Sequence, residues 1–220
     1  MATMKLLTGQ RAQLAQKLVD QAQKDPKLPE ANRASYLSFN ATANRQAAEM
    51  ETDPVTRKAY LTEALDTYNK LLAKIPENDL TGVRNGYNRL IALTLFTVGD
   101  ADGYRQAHSM LGVLLVKKQV GTALESHNGE TRSNPLYWET VLRYLQCKVK
   151  LGAAGATDEK YLEDATRNLK NIIVQYGDIA GGEAYGKDFK LLRKEILGNW
   201  KPDDSATSQP ASASQPAAQK

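Results

Sequence analysis

A repeated helical phrase constrains this chain more than any other feature. Tyr60, Leu61, Glu63, Ala64, Tyr68, Leu71 and Leu72 have counterparts in Tyr161, Leu162, Asp164, Ala165, Leu169, Ile172 and Ile173. Both copies read Tyr-Leu-x-acid-Ala, with apolar residues four, seven and eight positions after the alanine. A shorter copy runs through Tyr104, Ala107, Leu111, Leu114 and Leu115, with one residue fewer between tyrosine and alanine. In each copy these residues fall on one face of a 3.6-residue helix, and the alanine lets a neighbouring helix approach closely. Each copy follows another helical segment, so the unit is a helix–turn–helix pair. One pair cannot bury its apolar face alone, so pairs must stack.

The rest of the chain fits that unit. Helical periodicity runs over about 8–24, with Ala12, Ala15, Val19 and Ala22 on one side, and Asp25-Pro26 ends it because proline disfavours helix in the residue before it. An alanine-rich segment follows Pro29 as far as Met50. Asp53 before Pro54 reads as a helix start, as does Asn134 before Pro135; Asp79, Asp100 and Thr157 or Asp158 are further candidate caps. An eighth helix is expected from about Glu183 to Leu197, with Gly198 ending it. Residues 119–133 read as a polar loop carrying an Asn128-Gly129 turn signal, and no stretch shows convincing period-two alternation. The expectation is an all-α chain of about four helix–turn–helix pairs over residues 1–200. The tail 201–220, with its doubled Ser-Gln-Pro-Ala, lacks large apolar residues and is expected to be disordered.

The second helices of these pairs resemble the tetratricopeptide repeat: Ala64, Tyr68 and Pro76 stand where that family has a small residue, an aromatic and a closing proline. The spacing departs from the family. Tyr60 to Tyr104 is 44 residues and Tyr104 to Tyr161 is 57, against about 34 per family repeat. Gln119 and Gly177 replace the closing proline in the later copies, and the family's Trp-x₂-Leu-Gly-x₂-Tyr pattern is missing from the first helices. The resemblance implies a right-handed α–α superhelix whose first helices line a concave face that binds a peptide or protein. On that basis the chain is expected to be a non-catalytic scaffold or adaptor, with Arg84, Asn85, Asn88, Arg89, Arg143 and Lys150 as candidate partner-binding residues.

Composition removes other classes. One cysteine, Cys147, leaves no intramolecular disulfide and no cysteine-built zinc site; two histidines, His108 and His127, leave little for nucleophile–histidine chemistry. No catalytic, cofactor-binding or metal-binding residue is therefore assigned. His127 with Glu125 and Glu130 is a weak metal cluster, since such ligands normally come from several elements. The run Gly181 to Lys187 approaches a phosphate loop, but Asp188 stands where a Ser or Thr must ligate magnesium.

Lys plus Arg number 29 against 25 acids, a net charge of +4. The basic run from Arg143 to Lys150, with Tyr137, Trp138 and Tyr144 nearby, keeps a nucleic-acid-associated protein as the alternative. Trp138 shares an apolar stripe with Leu142 and Leu145, which favours core packing. The start has no apolar core of signal length and no membrane-length run occurs, so a cytoplasmic location is the default expectation. An end helix with an exposed apolar edge would favour self-association.

Overall fold

The computed structural model describes residues 2–121, 124–127, 130–153 and 159–198. Eight helices follow one another: α1 (Ala2–Lys24), α2 (Glu30–Met50), α3 (Pro54–Leu72), α4 (Val83–Val98), α5 (Ala101–Val116), α6 (Pro135–Gly152), α7 (Glu159–Tyr176) and α8 (Gly182–Leu197). Among the described residues the fold is all-α apart from one hairpin. Leu124–His127 (β1) pairs antiparallel with Glu130–Ser133 (β2), His127 opposite Glu130. This corrects the expected polar loop: β1 and β2 are joined by backbone pairing, and their sequence carries no apolar alternation to announce it. The Asn128-Gly129 turn, the Thr157/Asp158 cap and the 201–220 tail lie outside the described residues.

Local chemistry explains the helix starts. Asp53 accepts the Thr56 N–H at 2.8 Å and Pro54 follows it at the first helical position. Asp100 accepts the Gly103 N–H at 2.7 Å. Asn134 accepts the N–H groups of Leu136 and Tyr137 at 3.0 and 3.2 Å. Asp79 acts a turn earlier than a cap would. Its carboxylate accepts the N–H groups of Thr81 and Arg84, both at 2.9 Å, and the helix itself begins at Val83.

Every helix from α1 to α7 packs on the next, and the even-numbered ones also touch each other: α2 on α4, α4 on α6, α6 on α8. This is the arrangement of stacked hairpins, with α2–α3, α4–α5 and α6–α7 as three pairs, α1 before them and α8 after. The even helices form a shared inner layer. The repeat alanines are the close-approach points: Ala64, Ala107 and Ala165 are wholly buried. Tyr68 is buried with Ala41, Ala64 and Ile91, and its hydroxyl lies 2.7 Å from that of Thr42. The largest core cluster lies in the last third, where Trp138, Leu142, Leu145, Leu169, Ile173, Phe189 and Leu192 come together from α6, α7 and α8.

The glycine run before α8 is there for packing. Gly181 holds φ +89°, and a Cβ on it would sit 2.6 Å from the Phe189 ring and 2.8 Å from the Tyr185 backbone. Gly103, on the first turn of α5, lies so close to α4 that a Cβ would meet the Leu95 carbonyl at 2.6 Å. Only glycine permits either approach.

Candidate functional site on the inner layer

Two stripes run along the neighbouring helices α4 and α6. On α4, Asn85, Asn88 and Phe96 recur at helical spacing; on α6, Glu139, Arg143, Gln146 and Lys150 do the same. They meet where the Arg143 guanidinium lies over the Phe96 ring, 5.0 Å from its centroid. Arg143 also donates to Gln146 Oε1 at 2.9 Å. Tyr104 presses edge-on against Phe96, with ring centroids 5.5 Å apart. A cavity of about 350 Å³ opens here, lined by Glu49, Arg57, Phe96, Thr97, Gly99, Tyr104 and Arg143.

The six candidate residues fall into different roles. Asn85 and Asn88 are half-buried on the α4 stripe, and Lys150 is exposed at the far end of the α6 stripe. Arg143 sits on the cavity wall. Arg84 is engaged in the turn before its own helix, donating to the Ile75 carbonyl at 2.7 Å. Arg89 is 8% exposed and ties α4 to α6, bonded to the Glu139 carboxylate and to Thr140 Oγ1 at 3.2 Å. Burial pushes the Arg89 guanidinium below its ordinary pKa, and Glu139 opposes that shift. Tyr185 of α8 completes this joint through a hydrogen bond with Glu139.

Sequence reasoning missed Arg57 and Tyr104 as part of this site. Arg57 reaches from α3 to the end of α4 and donates to the carbonyls of Val98, at 3.2 Å, and Thr97. A cation there complements the negative end of the α4 dipole. Nothing local in the sequence reveals that contact, because it joins residues about forty positions apart.

The basic run on α6 is divided by the fold. Lys148 is buried, 3.8 Å from Asp164 and with its ammonium over the Tyr144 ring at 4.9 Å. Trp138 is 1% exposed, so it packs in the core and offers no stacking platform. Cys147 is fully buried, and burial pushes its thiol up to about 12. His108 stacks on Tyr144, centroids 4.7 Å apart, and meets Tyr161 edge-on at 5.5 Å.

Among the described residues no group of three or more potential metal ligands comes together, and no helix is long and apolar enough to cross a membrane. No protein-family model matches the chain, and neither a curated protein nor a solved structure matches it.

Proposed function

We propose that this chain is a non-catalytic scaffold of tetratricopeptide-like, right-handed helical pairs that holds an extended protein or peptide segment on its inner layer. The observation that carries the reading is the pair of stripes on the neighbouring helices α4 and α6, joined by the Arg143–Phe96 contact and by the buried Arg89–Glu139 ion pair. Asparagine side chains offer both a donor and acceptors to a bound backbone. A brace that fixes the two helices lowers the ordering cost of binding, as pre-organised sites do. The α4 and α6 stripes leave Asn85, Asn88 and Gln146 polar and uncharged, which suits a peptide backbone better than a phosphate backbone.

Affinity capture from cell extract tests this with wild type and Asn88→Arg, each with and without nuclease. A defined protein set that survives nuclease and is lost with Asn88→Arg supports the scaffold. Recovery that collapses on nuclease and ignores Asn88→Arg would replace it with nucleic-acid association.

A further inference from the structure

We propose that the cavity bounded by Arg57, Phe96, Tyr104 and Arg143 is a subsite for the side-chain carboxylate of an acidic residue in the bound segment. This rests on the peptide-binding reading above and adds the chemistry of one recognition position.

Charge carries the argument first. Arg57 donates to two backbone carbonyls, and Arg143 donates to the neutral Gln146. Neither guanidinium has a carboxylate partner in ion-pair range among the described residues. The one acid on the cavity wall, Glu49, is engaged by Arg45 at 2.6 Å. Two cations therefore border one cavity while its carboxylate is already neutralised by a third. An acid entering the space gains attraction from both.

Shape and orientation carry it second. The Arg143 guanidinium lies over the Phe96 ring, 5.0 Å from its centroid, and guanidinium donors suit bidentate contact with a carboxylate. Of the Arg143 donors only Nη1 is used among the described residues, by Gln146. At the Gly99 corner of the cavity, Arg57 Nη2 and the Tyr104 hydroxyl each lie 3.7 Å from where a Gly99 Cβ would stand. Gly99 has φ +86°, so a glycine both shapes the turn and leaves that corner open. Burial raises the Tyr104 pKa, which keeps its hydroxyl a proton donor at neutral pH. A volume of about 350 Å³ accommodates a side chain and excludes a helix. Phe96 lines the cavity and shares its helical face of α4 with Asn85, so the group that enters is taken to be one carried on a segment lying along α4.

The test is selection of a random dodecapeptide display library on wild-type protein and on Arg143→Gln, with folding of the variant checked by circular dichroism. Enriched wild-type binders should share an Asp or Glu position. Replacing that residue in the peptide with Asn or Gln should weaken binding about 10–100-fold, the worth of a hydrogen bond to a charged group. The peptide-side change leaves the protein untouched, so a folding defect in Arg143→Gln cannot mimic the result. Binders with no acidic position, or acidic binders indifferent to both changes, overturn the subsite and leave peptide binding standing. Absence of any enriched peptide overturns both.

Discussion

Arg89 on α4 and Glu139 on α6 form an ion pair in which both side chains are largely buried, at 10% and 15% exposure. They join two neighbouring helical pairs, with Thr140 taking a second donor of the same guanidinium. Removing one partner leaves a buried charge without compensation, and the cost of that is about 3–5 kcal/mol. Arg89→Met is therefore expected to lower the unfolding free energy by this amount. The double variant Arg89→Met/Glu139→Leu should recover most of it, because an apolar pair of similar volume needs no desolvated charge. Urea denaturation of the four proteins of this cycle checks the prediction, and equal losses in the single and double variants would contradict it.

Acid should loosen the junction of α5, α6 and α7. His108 on α5 faces Tyr144 and Lys148 on α6 and Tyr161 and Asp164 on α7. Burial first, and then the Lys148 ammonium, hold its pKa below the ordinary 6.5, with Asp164 opposing. The folded chain thus binds this proton less readily than the unfolded chain. The His108 contribution to stability is fully present above pH 6.5, falls as the pH drops below that, and levels off beneath the folded-state pKa. Chemical denaturation from pH 8 to 5 should show this slope in wild type and a smaller one in His108→Gln. Identical slopes would show that the histidine is indifferent to folding.

The thiol of Cys147 should be silent in the native protein. It is fully buried and its pKa is raised to about 12, so almost no thiolate forms at neutral pH. Labelling by a thiol-specific chromogenic reagent is expected to be slow in buffer and complete within minutes in denaturant. Fast native labelling would mean that α6 opens readily.

Gly181→Ala should be among the costlier single substitutions. An alanine at φ +89° carries left-handed strain of about 1–2 kcal/mol, and crowding against Phe189 and Tyr185 adds about 1–3 kcal/mol. Thermal unfolding of this variant should fall well below that of Gly186→Ala, where the nearest atom to a new Cβ is 3.9 Å away.

Much of the fold was legible because it is decided locally. Asp53, Asp100 and Asn134 cap the helices they precede, and the Tyr–Ala–Leu spacing marked the faces that pack. The hairpin was not, because β1 and β2 hold together through backbone pairing while their sequence alternates nothing. The site was legible only in outline. Asn85, Asn88 and Arg143 fall on the inner-layer stripes, whereas Arg84 and Arg89 serve turn and joint. Which side of α4 an arginine reaches depends on four neighbouring helices, since buried residues occur on most sides of α4. Arg57 entered the site only through a contact between α3 and the end of α4, which no sequence spacing records.

The buried apolar cluster between α1 and α2 consists of Ala12, Ala15, Ala43 and Ala47, side chains that bring little apolar area to the interface. The far end is filled by Trp138, Phe189 and several leucines. Protection against hydrogen exchange should therefore climb along the chain, with amides of α1 trading with deuterium long before those of α6. The molecule has a soft end and a hard end.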